Sequence, residues 1–88
     1  MDLGIAGKRA IVCASSRGLG RACAEALAHE GVAVTINGRD PETLAATAEA
    51  IRDATSVDVR TVVGELESDE TRAALLAACP EPDILANT

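Results

Sequence analysis

Apolar residues change their spacing along this chain in a regular order, and that order reads as strands alternating with helices. Residues 9–13 (RAIVC) form a short apolar run with β-branched members, the pattern of a strand buried on both faces. From Leu19 the apolar positions fall at Leu19, Ala22, Cys23, Ala26 and Leu27, which is a helical stripe, and Gly31 marks its C-terminal end. Residues 32–36 (VAVTI) predict the second strand. Asp40-Pro41 then supplies a side-chain acceptor at a helix cap and a proline at the first helical position. Leu44, Ala48 and Ile51 share one face of that second helix, leaving Glu42, Glu49 and Arg52 for water. Residues 57–63 (VDVRTVV) predict a third strand. Ser68 opens a third helix running through Leu75, Leu76 and Cys79, with Asp69 and Glu70 in the first turn, where the dipole favours acids. Pro80 and Pro82 stop it, and residues 83–87 (DILAN) begin a fourth strand.

Alternation of this kind predicts a parallel sheet with right-handed crossovers and helices on both faces. The expected class is α/β: a Rossmann-type doubly wound sheet, of which βαβαβαβ is one half, in three α/β/α layers. No repeat, linker or low-complexity stretch divides the chain, so residues 1–88 read as the N-terminal part of one domain.

Composition narrows the function classes. With 88 residues and 48% hydrophobic content the chain is globular, and at that size it would bury only about 60% of its unfolded surface. It holds no aromatic residue, so the core must be built from Ala, Val, Leu and Ile. A net charge of −6 without a basic cluster argues against a nucleic-acid surface. No apolar run approaches the ~18 residues of a membrane span. The N-terminus lacks the charged-then-apolar order of a signal peptide, which makes the cytoplasm the expected compartment. Cys13, Cys23 and Cys79 form no CxxC pair and sit in apolar stretches, where cysteine behaves as a small buried hydrophobe, so no metal site is expected.

The chemistry lies in CASSRGLG, residues 13–20. A strand that stops, turns through glycines and feeds a helix presents unpaired backbone N–H groups at the helix N-terminus, where the dipole favours an anion such as a pyrophosphate. Gly18 would let the backbone approach the phosphates, and Gly20 would let the helix pack near the sheet. A GxG pair alone is a weak signal; after a strand, before a helix and inside a βαβ unit, it is a strong one. The plain alternative is that both glycines only serve strand–helix packing. At the end of the second strand stand Asn37, Gly38 and Arg39. NAD-binding folds place an acid there for the ribose 2′-hydroxyl, whereas a guanidinium fork suits a 2′-phosphate. Arg39, with Arg17 in the loop, therefore favours NADP(H) over NAD(H). Asp40 reads as the cap of the next helix, although it is also placed to take a ribose hydroxyl.

With these motifs in order, IVCASSRGLGRACAEALAHEGVAVTINGRD resembles the cofactor-binding start of the short-chain dehydrogenase/reductases, especially members related to 3-oxoacyl-[acyl-carrier-protein] reductase. That family usually reads Thr-Gly-x-x-x-Gly-x-Gly in the loop; here Cys13 and Ala14 take the first two places. The resemblance implies that Ala14, Ser15, Ser16, Arg17, Gly18, Leu19 and Gly20 surround the phosphates and that Arg39 holds the 2′-phosphate. Glu65-Leu66 matches the family's acidic-aliphatic pair beside the adenine. DILANT is similar to Asp-Ile-Leu-Val-Asn-Asn-Ala-Gly, with Asn87 at the first Asn and Thr88 in the place of the second.

The activity so implied is hydride transfer between a nicotinamide and a small carbonyl or alcohol substrate, with Tyr as general acid and a Lys lowering its pKa. The family's catalytic Ser, Tyr, Lys and Asn fall beyond residue 88. The chain contains no Tyr, its one Lys (Lys8) precedes the first strand, and His29 sits late in the first helix where a cation complements the dipole. No catalytic residue is therefore expected within it. The resemblance implies a truncated reductase, inactive alone and a homo-oligomer at full length. The alternative is a non-catalytic NADP(H)-binding or interaction module.

Overall fold

The computed structural model describes residues 6–13 and 17–87, and for Arg17, Leu19 and Asn87 the backbone alone. Four parallel strands, β1 (Arg9–Cys13), β2 (Ala33–Gly38), β3 (Val59–Val63) and β4 (Ile84–Asn87), form one sheet in the order β3-β2-β1-β4. Between them run α1 (Arg17–His29), α2 (Pro41–Thr55) and α3 (Asp69–Ala78). The expected βαβαβαβ order and the doubly wound parallel sheet are what the chain forms.

Strand parity divides the core. Ala10, Val12, Val34, Ile36 and Val59 point to the face covered by α1 and α2, where Ala24, Ala28, Leu44, Ala48 and Ile51 meet them. Ile11, Cys13 and Val62 point the other way, toward Leu75 and Cys79 around α3. Both faces of β1 are thus dry, as its unbroken apolar run required. On the α3 side of β4, Leu85 remains 69% exposed.

The helix ends follow their sequence signals. Asp40 accepts from the Glu42 N–H at 3.1 Å and from the Thr43 hydroxyl at 2.5 Å, capping α2. Ser68 caps α3 by accepting from the Thr71 N–H at 3.3 Å. After α1, Gly31 turns left-handed (φ 84°), with the Val32 N–H reaching the Leu27 carbonyl and the Gly31 N–H the Ala28 carbonyl, a Schellman closure. Ser56 closes α2 in the same left-handed conformation (φ 63°) without being glycine.

Some expectations need correction. Helix α1 begins at Arg17 rather than Leu19, so Gly18 and Gly20 belong to its first turn. Its buried stripe is Gly20, Ala24 and Ala28, flanked by Cys23 and Leu27, while Ala22 and Ala26 face water. Alanine at every second position from 22 to 28 makes two helical stripes equally apolar. Packing selects the one that includes Gly20, because the missing side chain lets the helix lie closer to the sheet. Strand β3 starts at Val59, two residues late, and β4 at Ile84. Leu76, expected in the core, is 57% exposed, because α3 turns Thr71 and Leu75 inward instead. Arg52 does not simply reach into water: its guanidinium donates to the Val59 carbonyl, tying α2 to the start of β3.

Candidate dinucleotide site

Strand register puts Val62, Asn37, Cys13 and Asn87 in one row across the sheet, close to its C-terminal edge. The described residues among those singled out in the sequence fall in or just beyond this row: Arg17 to Gly20 in the first turn of α1, Gly38 and Arg39 at the end of β2, Glu65 and Leu66 after β3, and Asn87 at the end of β4. Segments far apart in the chain are gathered along one rim. Strand β1 lies at its middle, with β2 on one side and β4 on the other. That is the point where successive crossovers change direction, and where open α/β sheets leave a crevice for ligands.

Helix α1 starts at this rim, so its first-turn N–H groups and the positive end of its dipole face the crevice. Gly18 carries no positive φ, and a Cβ added to it would meet no described atom within 4 Å. Neither backbone conformation nor packing among the described residues requires a glycine there. What its small size preserves is open space in front of the helix, as a close-lying phosphate needs. Gly20 is buried against the sheet. Ala14, Ser15, Ser16 and Thr88 lie outside the described residues, as do the side chains of Arg17, Leu19 and Asn87.

Asn37 is buried, and its Nδ2 donates to the carbonyls of Val62 at 3.0 Å and Gly64 at 3.1 Å. Its amide clamps the ends of β2 and β3 together. Gly64 returns the link by donating its N–H to the Gly38 carbonyl at 3.0 Å. Gly38 has Leu44 as its close neighbour, since an added Cβ would stand 3.2 Å from Leu44 Cδ1, so this glycine lets α2 pack against the strand end. Gly64 is more tightly constrained still. Its φ is +146°, and a Cβ there would fall 2.2 Å from Thr71 Oγ1.

Above this clamped platform the Arg39 guanidinium lies 3.6 Å from the Glu65 carboxylate, both side chains well exposed. Both Asp40 carboxylate oxygens are engaged in capping α2. The expected cap at Asp40 is present. Leu66 is half-buried against the smaller core cluster. Burial pushes the Cys13 thiol up from its ordinary pKa, so at neutral pH it is a protonated, unreactive group at the base of the loop. Lys8 precedes β1, at the opposite edge of the sheet. Among the described residues no cluster of metal-ligating side chains occurs, and no helix is long and apolar enough to cross a membrane.

The family model for short chain dehydrogenases matches residues 8–85. The chain belongs to the short-chain dehydrogenase family. It is 39% identical over 88 residues to the uncharacterized oxidoreductase YvaG of Bacillus subtilis, covering 99% of this chain and 33% of that protein. It is likewise 39% identical over 71 residues to the 3-oxoacyl-[acyl-carrier-protein] reductase FabG of Aquifex aeolicus, covering 81% of this chain and 29% of that one. The crystal structure of L-sorbose reductase from Gluconobacter frateurii, complexed with NADPH and L-sorbose, superposes with a TM-score of 0.87 at 31% identity, over 97% of this chain and 34% of the other. The chain thus spans about a third of the length of the curated relatives it matches.

Sequence reasoning did not single out Gly64, Thr71 or the clamping role of Asn37. A glycine directly after a strand (VVGE, residues 62–65) was the available signal. Its contact with Thr71 depends on where α3 lands on the sheet, which no local pattern shows.

Proposed function

We propose that this chain supplies the dinucleotide site of an NADP(H)-dependent short-chain oxidoreductase acting on a small carbonyl or alcohol substrate. The observation that carries the reading is the convergence, on one sheet edge at the crossover switch point, of the α1 N-terminus with its open Gly18 and of the Arg39 guanidinium at the end of β2. When bound, the nicotinamide would supply the hydride chemistry. The first-turn N–H groups of α1 would hold the pyrophosphate, assisted by the loop residues Ala14 to Arg17 and by Leu19. Arg39 would take the ribose 2′-phosphate through a planar fork suited to it. Glu65 and Leu66 would flank the adenine, with Asn37 and Gly38 holding the strand ends beneath the ribose. Asn87 and Thr88 would continue the rim at β4. The L-sorbose reductase likeness, in a structure complexed with NADPH, supports the choice of cofactor.

No tyrosine occurs in the chain, and Lys8 lies at the wrong edge for proton transfer. The general acid and the residue that lowers its pKa would therefore come from polypeptide beyond these residues, as would the substrate-facing loops and an oligomer interface. The chain itself binds and orients.

The test is dinucleotide binding by titration calorimetry on the full-length protein. Arg39→Asp should weaken NADPH by about tenfold or more, the scale of a lost charge-assisted hydrogen bond, and shift preference toward NADH. An unchanged NADPH/NADH affinity ratio would remove Arg39 from the site.

A further inference from the structure

Arg39 does not stand alone. Its guanidinium lies 3.6 Å from Glu65, which comes from a different strand end, 26 positions along the chain. The backbones carrying the two groups are held in place by the Asn37 amide on Val62 and Gly64, by the Gly64 N–H on Gly38, and by the Asp40 cap that begins α2 directly after Arg39. The sheet edge thus holds the two strand ends side by side. Resting on the cofactor reading above, we infer that Glu65 is a specificity-tuning residue: it neutralises Arg39, competes with the 2′-phosphate for that guanidinium, and narrows the preference for NADP(H) over NAD(H).

Two features support an exchangeable clasp. Arg39 and Glu65 keep 77% and 61% of their side-chain surface, so the pair is well solvated and weak, and an incoming phosphate can displace it. The phosphate is the stronger partner, because it carries ~1.5–2 negative charges and accepts two N–H bonds from one guanidinium. What NADPH gains from Arg39 is then the difference between the two pairings, while NADH, which has no 2′-phosphate, leaves the clasp closed.

The experiment is a double-mutant cycle of Arg39→Ala and Glu65→Gln in the full-length protein, titrated with NADPH, NADH and 2′,5′-ADP. Glu65→Gln should raise the NADPH/NADH affinity ratio by about two- to fivefold, the span of an exposed ion pair, since any change beside the adenine acts on both dinucleotides alike. In the Arg39→Ala background the same substitution should leave that ratio unchanged. Equal changes for NADPH and NADH would overturn the clasp, as would a shift of the ratio undiminished without Arg39, which would mean that Glu65 acts on the 2′-phosphate directly. Failure of the cofactor reading looks different: neither dinucleotide binds, or Arg39→Ala leaves the NADPH/NADH ratio where it was. Circular dichroism of each variant separates lost binding from lost fold.

Discussion

Substituting Gly64 by alanine tests how tightly the platform under Arg39 and Glu65 is built. Two penalties combine at this position. The backbone sits at φ +146°, a region close to exclusive to glycine, where a residue with a Cβ pays about 1–3 kcal/mol. The new methyl would also lie 2.2 Å from Thr71 Oγ1, with Thr71 Cβ and Cγ2 both at 3.3 Å. Thr71 is buried in the first turns of α3 and β-branched, so its χ1 offers little escape. Overpacking of that kind costs a further ~1–3 kcal/mol. Gly64→Ala should therefore destabilise by about 2–6 kcal/mol, against a typical total stability of about 5–15. Urea denaturation followed by far-UV circular dichroism measures this as a lower midpoint at unchanged slope. Adding Thr71→Ala removes Oγ1 and Cγ2 and should recover the steric share but not the φ share, a coupling of about 1–3 kcal/mol. If Gly64→Ala lies within about 0.5 kcal/mol of the parent, the close approach of α3 to the β3 end is not as described.

Three other outcomes follow from single contacts. Ser56→Gly should stabilise by about 0.5–1 kcal/mol in the same denaturation assay, because Ser56 holds a left-handed C-cap that glycine adopts without strain. Asn37→Ala should cost about 1–3 kcal/mol, since the Val62 and Gly64 carbonyls lose their shared donor at a buried strand end, and Arg39–Glu65 coupling should fall with it. Burial raises the Cys13 thiol pKa in the folded state, so its contribution to stability is whole below the ordinary thiol pKa and is lost as pH rises past that value toward the folded one. Cys13→Ala should flatten that alkaline loss, and iodoacetamide at mildly alkaline pH should label Cys13 only on unfolding.

Legibility differed from element to element for physical reasons. The α2 face was readable because Leu44 and Ile51, the two large apolar residues of the helix, lie seven apart on one face with Ala48 between them, and those three are buried. The α1 face was not, since interleaved alanines leave the periodicity degenerate until the sheet selects the Gly20 stripe. Leu76 failed for a related reason: a leucine beside another leucine satisfies either of two helix rotations. At the site, the glycine loop and Arg39 were visible as local motifs. Their partners were not, because the Asn37 clamp, the Thr71 wall and the Glu65 counter-charge each join residues more than five positions apart.

By itself the sequence determined the alternation of strand and helix, the caps at Asp40 and Ser68, the glycine turn after α1, and the family to which the chain belongs. Those properties depend on hydrogen-bonding side chains, backbone freedom and periodicity within a few residues. Only the tertiary structure decided the strand order β3-β2-β1-β4, and with it the assembly of 17–20, 38–39, 65–66 and Asn87 on one edge. It also decided that Arg39 lies within 3.6 Å of Glu65. Parallel pairing brings strand ends together through crossovers of many residues, so which charges meet at a rim is set by how helices seat on the sheet. That packing is a property of the whole chain.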